Sequence, residues 1–249
     1  MEINFKDKVV LVTGAAGGIG YTTAKMFVES GAKVIITDIN KELLEQSAKE
    51  LNTDYFVCDV SKESEVKNVI ENIVLNFGKL DCAYNNVGIQ VPVAEISEAD
   101  GAEFDRAISV NLKGMWNCLK YEMKQMKAQT QGGAIVNCSS QCGLLAQNGL
   151  GAYTASKHGV LGLTKVAALE GAKYKIRVNA ICPGATDTPM VRQAIKDYPE
   201  HMKNVIDGIP LKRIADSTEI ASAVLYLCHE QAGFITGEIM AVDGGCSLV

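Results

Sequence analysis

The stretch "KVVLVTGAAGGIGYTTAKMFVESG", residues 8–31, carries one hydrophobic rhythm into another across a cluster of glycines. Residues 8–14 are a short run of mostly branched apolar side chains, which predicts a buried strand. Residues 20–31 read as a helix closed by Gly31. Between them Gly14, Gly18 and Gly20 stand as G-x3-G-x-G. Glycine there permits a tight turn and lets backbone N–H groups approach a pyrophosphate at a helix N-terminus. A glycine-rich turn without a ligand is the alternative. The position between a first strand and a first helix favours a dinucleotide.

Outward from this unit the alternation repeats. Residues 32–38, 54–60, 79–86, 133–140, 175–184 and 237–245 read as further strands, giving seven with the first. Helical patterns fall at 41–51, 63–78, about 100–126, 152–172 and 217–228. Such alternation implies an α/β fold with a parallel sheet covered by helices on both faces. Ligands of such sheets bind beyond the carboxyl ends of the strands, and the polar motifs considered below fall there or in the next helix.

Composition narrows the function classes. The 249 residues are 47% hydrophobic and 21% charged, with a net charge of −5, ordinary for a globular chain and without a basic footprint for nucleic acid. No apolar run approaches the ~18 residues of a membrane span. The opening "MEINFKDK" lacks the basic and apolar regions of a secretory signal, so a cytoplasmic location is expected. The eight cysteines contain no Cys-x-x-Cys and sit mostly in apolar stretches, which predicts buried thiols in a reducing compartment. His158, His201 and His229 form no ligand cluster, and no metal is expected.

Asp38 closes the second strand, eighteen residues beyond Gly20. A carboxylate there accepts hydrogen bonds from adenosine ribose hydroxyls and repels a 2′-phosphate. Gly17 in the loop and Ile39 and Asn40 beside Asp38 are not the cations that NADP would want, so NAD is the expected cofactor. Asp38 as a cap for the helix starting near Lys41 is the other reading. Asp59 and Val60 end the third strand and could face an adenine edge; Asn86 and Gly88 end the fourth and could lie against a ribose. Each of these would otherwise be a normal strand-to-loop transition.

Tyr153 stands four residues before Lys157 in "GAYTASKHG", on one helix face. An ammonium near a phenol favours the phenolate and so makes a base of it. A second Tyr-x-x-x-Lys, Tyr21 to Lys25, has the same spacing, so spacing alone does not choose. The choice comes from the ordered set "TGAAGGIG", "NNVG", "VNLKG", "IVNCSS", "YTASK", "CPGATDT" and "VDGG". From Lys8 to Gly245 it resembles the short-chain dehydrogenase/reductase family in its single-domain form. The resemblance implies a Rossmann-type doubly wound sheet in one domain, residues 1–249. It implies Tyr153 as the catalytic acid/base, Lys157 as its partner and a ligand of the nicotinamide ribose, and Asn111 as holder of a water that links the lysine to solvent. Ser140, thirteen residues before the tyrosine and three before Gly143, matches the family's catalytic serine; Ser139 misses each spacing by one. Cofactor contacts carried over with these are Ile19 in the glycine loop, and Pro183, Gly184, Thr186 and Thr188 in "CPGATDT". Val87 replaces the alanine usual in "NNVG".

The chemistry these roles imply is hydride transfer between NAD and a secondary alcohol or ketone, with Ser140 holding the reacting oxygen and Tyr153 moving its proton. A 3-ketoacyl-carrier-protein reductase and a catalytically silent NAD-binding regulator are the alternatives. Residues 185–210 read as a mobile lid. Gln90, Gln141, Gln147, Asn148 and Met190 are candidate substrate contacts. In the family the helices containing Asn111 and Tyr153 commonly form a subunit interface, which implies a homotetramer.

Overall fold

The computed structural model describes residues 3–249; the side chains of Met190 and His201 lie outside the described residues, and with them the expected Met190 contact. The chain runs β1 (Val9–Thr13), α1 (Gly18–Glu29), β2 (Lys33–Asp38), α2 (Lys41–Leu51), β3 (Asp54–Val57), α3 (Glu63–Phe77) and β4 (Cys82–Asn85). It continues through α4 (Gly101–Ala107), a π turn (Ile108–Lys113), α5 (Gly114–Ala128), β5 (Gly133–Cys138) and α6 (Gly151–Gly171). After β6 (Ile176–Pro183) come α7 (Pro189–Asp197), α8 (Pro199–Gly208), α9 (Ser217–Cys228) and β7 (Ile239–Val242).

The seven strands form one sheet in the order β3-β2-β1-β4-β5-β6-β7, every neighbouring pair parallel. Thr13 stands beside Thr37 on one side and Asn85 on the other, so strand order reverses between β1 and β4. That reversal opens the crevice at which such sheets take ligands. The alternation of strand side chains builds two cores. Val10 and Val12 face α1, α2 and α9 through Phe27, Leu44 and Val224. Val9 and Leu11 face α3, α5 and α6 through Ile70, Leu119 and Val160. Seven of the eight cysteines are buried, Cys246 being partly exposed.

Three elements differ from the sequence expectation. The third strand stops at Val57 instead of 60, because Asp59 turns the chain: its Oδ1 accepts from Ser61 N at 3.0 Å and Ser61 Oγ at 2.7 Å. The helix expected over 100–126 is interrupted by the π turn, a wider coil that holds Asn111. The span expected as a lid contains α7 and α8, each opened by a proline, with Thr188 Oγ1 accepting from Val191 N at 3.3 Å to cap the first.

Candidate active site

At the carboxyl end of β1 the glycine loop is shaped by two different needs. Gly14 and Gly18 have φ of +64° and +56°, a region glycine enters without strain. Gly20 instead permits contact: a side-chain carbon there would overlap the Gly14 carbonyl oxygen. A carbon added at Gly17 would meet nothing within 4 Å, so the turn into α1 is open on its outer side. Asp38 is tied to this turn, with Oδ2 accepting from Ala16 N at 3.2 Å and Oδ1 from Asn40 N at 3.0 Å. It does not cap α2. Asn40 does, through Leu43 N at 3.1 Å. Each Asp38 oxygen keeps a further lone pair, and the residue stands in the wall of the crevice.

At β4, Asn86 braces the same turn: Nδ2 donates to Gly14 O at 2.9 Å, and Oδ1 accepts from Tyr84 OH at 3.1 Å. Tyr84 is fully buried, so its hydroxyl fixes which way the Asn86 amide points. Val87 packs toward the core, and a side-chain carbon at Gly14 would come within 3.2 Å of it. The larger residue is therefore accommodated beside a glycine. Behind this strand end lies a second polar group. Asn85 Nδ2 donates to Glu122 Oε2 at 2.8 Å and to Asn137 Oδ1 at 3.1 Å. Glu122 is wholly buried, and burial pushes its carboxyl up to about 7.

The catalytic candidates meet where β4, β5, the π turn and α6 converge. Lys157, 2% exposed, donates to Cys138 O at 3.1 Å, and its Nζ lies 5.7 Å from the centre of the Tyr153 ring. A side-chain carbon at Gly88 would lie 3.0 Å from that Nζ, so glycine there makes room for the ammonium. Among the described residues Lys157 has no carboxylate partner. Asn111 bridges the loop after β4, Oδ1 accepting from Ile89 N at 2.8 Å and Nδ2 donating to Ile89 O at 2.9 Å. The same Nδ2 reaches Ser156 Oγ at 3.1 Å, and Ser156 Oγ donates to Tyr153 O at 2.7 Å. Ser140 Oγ accepts from Cys142 N at 3.1 Å and retains its own proton for another partner. Ser139 is turned away and donates to Lys157 O at 2.9 Å, fastening α6 to β5. The competing pair is dismantled: Tyr21 OH donates to Glu50 Oε2 at 2.9 Å, and Lys25 lies 3.9 Å from Glu29.

One cleft of about 590 Å³ connects these groups. Gly18, Ile19, Asp38, Asn86, Gly88, Ser140, Tyr153, Lys157, Pro183, Gly184, Thr186 and Thr188 line it, as do Gln90, Gln141 and Gln147. Gly14, Gly20 and Asn111 stand behind the lining and shape it. Asp59, Val60 and Asn148 are not in its wall. Asp59 Oδ1 is engaged by Ser61, and Val60 is buried with its carbonyl accepting from Asn117 Nδ2 at 2.8 Å. Leu43, Ile89, Cys142, Leu150 and Val191 line the cleft without having been singled out in the sequence. Apolar residues in a helix or loop carry no local signal that separates a cleft wall from a core. In the segment over the cleft Arg192 forms a fork with Asp187 at 2.6 and 2.8 Å; beyond that segment, beside a neighbouring pocket, Arg213 forms another with Glu219 at 2.7 and 2.8 Å. The Arg213 fork holds the Glu219 carboxyl down at about 2.

A glycine turn opening on a helix N-terminus, a carboxylate at the end of β2 and a buried lysine lacking a counter-ion fit a dinucleotide, which supplies phosphates and ribose hydroxyls for them. Comparison with known proteins agrees. A family model described as enoyl-(acyl carrier protein) reductase matches residues 14–247. The chain belongs to the short-chain dehydrogenase/reductase family and is an oxidoreductase with a Rossmann fold. It is 40% identical to an uncharacterized oxidoreductase of Thermotoga maritima, over 99% of this chain and 100% of that one. It is 36% identical to a 2,5-dichloro-2,5-cyclohexadiene-1,4-diol dehydrogenase of Sphingobium indicum, over 99% of each. Among solved structures, an NAD+-bound xylitol dehydrogenase superposes with a TM-score of 0.92 at 34% identity, covering 97% of this chain and 99% of that one. Among the described residues no helix is long and apolar enough to cross a membrane.

Proposed function

We propose that the protein is an NAD-dependent oxidoreductase interconverting a secondary alcohol and its ketone, with Tyr153 as acid/base. The observation that carries this reading is the buried Lys157 ammonium, which has one carbonyl partner, Cys138 O, and lies 5.7 Å from the Tyr153 ring. The ammonium keeps further protons that ribose hydroxyls of a bound nucleotide would accept. The nicotinamide supplies the hydride chemistry; the chain supplies binding, orientation and one proton path. Ser140 donates to the substrate oxygen as charge grows on it, and Tyr153 OH takes or returns that oxygen's proton. Asn111 holds the loop carrying Gly88 at the distance the lysine needs and could seat the water that connects it to solvent.

Asp38 supports NAD over NADP, since it stands in the cleft wall with no cation beside it. The same feature weighs against the ketoacyl-carrier reductase alternative, and intact Ser140, Tyr153 and Lys157 weigh against a silent regulator. The two relatives with named alcohol substrates, a cyclohexadiene diol and xylitol, favour an alcohol here too. Residues 185–210 would close over bound substrate, and exposed Phe104, Trp116, Val166 and Leu169 on α4, α5 and α6 suit an interface between copies, as in a homotetramer. Light scattering tests the last point; a monomer contradicts it. The reaction is tested by following NADH and NADPH absorbance across alcohols and ketones, beside Tyr153→Phe. Near wild-type turnover in that variant would sink the mechanism.

A further inference from the structure

The substrate end of the cleft is polar without being charged. Beyond Lys157, which is buried behind Tyr153, no lysine or arginine lines it among the described residues. Arg192 in the covering segment and Arg213 beyond it are held in forks by Asp187 and Glu219, so neither guanidinium is available to a ligand without losing a paired carboxylate. A carboxylate or phosphate entering here would leave water for a site with no cation to receive it, and desolvating an unpaired anion is strongly unfavourable.

What the wall offers instead is amide. Gln141 follows Ser140 directly, and its Oε1 is out of contact with water and has no hydrogen-bond partner among the described residues. Gln147 approaches from the opposite side of the same turn, its Oε1 accepting the Cys142 thiol at 3.5 Å while its amide N–H groups remain for a ligand. Cys142 lies between them, buried and kept protonated by that burial. Gln147 keeps amide donors for a ligand, and the Gln141 oxygen is an acceptor that no described group engages. A hydroxyl, which both gives and takes a hydrogen bond, satisfies such a pair; a bare alkyl chain leaves it unpaired.

Building on the oxidoreductase reading, we infer that the substrate is an uncharged alcohol with a second hydroxyl or carbonyl oxygen next to the reacting carbon, and that Gln141 and Gln147 select for that oxygen. The reacting oxygen lies between Ser140 and Tyr153, and the second turns toward the Gln141 amide, which rotates to meet it. Sites built to bond a hydroxyl reject the analogue that lacks it far more strongly than apolar pockets reject an added methylene.

The test is a set of secondary alcohols of four to eight carbons, each supplied as the mono-alcohol, the vicinal diol and the hydroxycarboxylate, assayed in both directions with NAD and NADP. The expected order of kcat/KM is diol above mono-alcohol by about tenfold or more, and mono-alcohol above hydroxycarboxylate. Gln141→Leu and Gln147→Leu, nearly isosteric, should each reduce the diol-to-mono-alcohol ratio several-fold, while nucleotide affinity read by fluorescence quenching stays at the wild-type value. A preference for the hydroxycarboxylate, or variants that leave the ratio unchanged, overturns this inference and leaves the oxidoreductase reading standing. Absence of turnover with every compound and both nucleotides overturns the oxidoreductase reading and this inference with it.

Discussion

The two edges of the sheet each carry buried charge and each open on a cleft, yet they differ in what their polar groups have left to give. At the amino edge a cleft of about 250 Å³ is lined by Asp81, Arg177 and His229 among others. Arg177 is consumed by α9, donating to Leu227 O at 2.7 Å and to Cys228 O and His229 O at 3.1 Å. It closes that helix as a cation placed at its negative end. Asp81 accepts from Val9 N at 2.8 Å and Lys79 Nζ at 2.9 Å. At the carboxyl edge Ser140 and Lys157 each make a single side-chain bond, and Asp38, in the cleft wall, keeps lone pairs. Concavity and charge are common to both edges. What differs is the buried polar groups: Arg177 and Asp81 are engaged by several partners, while Ser140 and Lys157 each have one.

Substitutions at the two ends of the strands should separate their roles. Tyr153→Phe should lower kcat by about 10²–10⁴, as loss of a general acid/base does, with nucleotide affinity retained in a fluorescence titration. Tyr21→Phe, removing the same atom from the other Tyr-x-x-x-Lys, should stay within about twofold of wild type, since that hydroxyl serves only Glu50.

Glu122, behind the carboxyl edge, makes a stability prediction. Its ordinary value is 4.5 and burial carries it to about 7, opposed only by the Asn85 bond. The Cys118 thiol beside it is also held protonated by burial. Between those two pH values the folded chain keeps a proton that the unfolded chain has released, so this group's stabilisation is complete below about 4.5 and is lost as pH rises through about 7. Glu122→Gln should abolish that decline. Relative to wild type it should gain on the order of 3 kcal/mol between pH 5 and 8, read by urea unfolding. An unchanged slope would mean the carboxyl is ionised in the fold.

Arg177→Met, at the amino edge, should cost about 2 kcal/mol of stability by leaving the α9 carbonyls without their donor, while kcat/KM per folded molecule is unchanged. A catalytic loss at full stability would erase the distinction between the edges. Ile39→Arg, which supplies a cation beside Asp38, should move the NADP-to-NAD ratio of kcat/KM upward by about tenfold.

Most of the architecture was legible because it rests on periodicity. Val9 to Val12 are apolar at every position, and only a strand covered on both faces uses such a run. The glycine turn was legible because Gly14, Gly18 and Gly20 shape the chain at their own positions. What local reading left open depends on contacts that residue spacing does not record. Asp59 looks as available as Asp38 until Ser61 is seen on its carboxylate. Asn111 is an ordinary helix residue until Ile89 is found on both ends of its amide. The Gln141 amide became informative through a missing partner, and no sequence pattern records that.

The π turn that holds Asn111 has a consequence for how this chain can change in length. A π turn accommodates one residue more than the α-helix around it, and each helical residue advances the face by about 100°. Removing a single residue from 108–113 would let the coil relax to a regular helix, which local hydrogen bonding would welcome. Because the wider turn absorbs that residue, α4 and α5 would keep their faces, while Asn111 would turn away from Ile89. A deletion here is thus expected to give a chain that still folds its sheet, with the loop carrying Gly88 detached from its anchor and the lysine cavity misshapen. The extra residue turns one asparagine toward the loop it anchors, between helices whose faces it leaves in place.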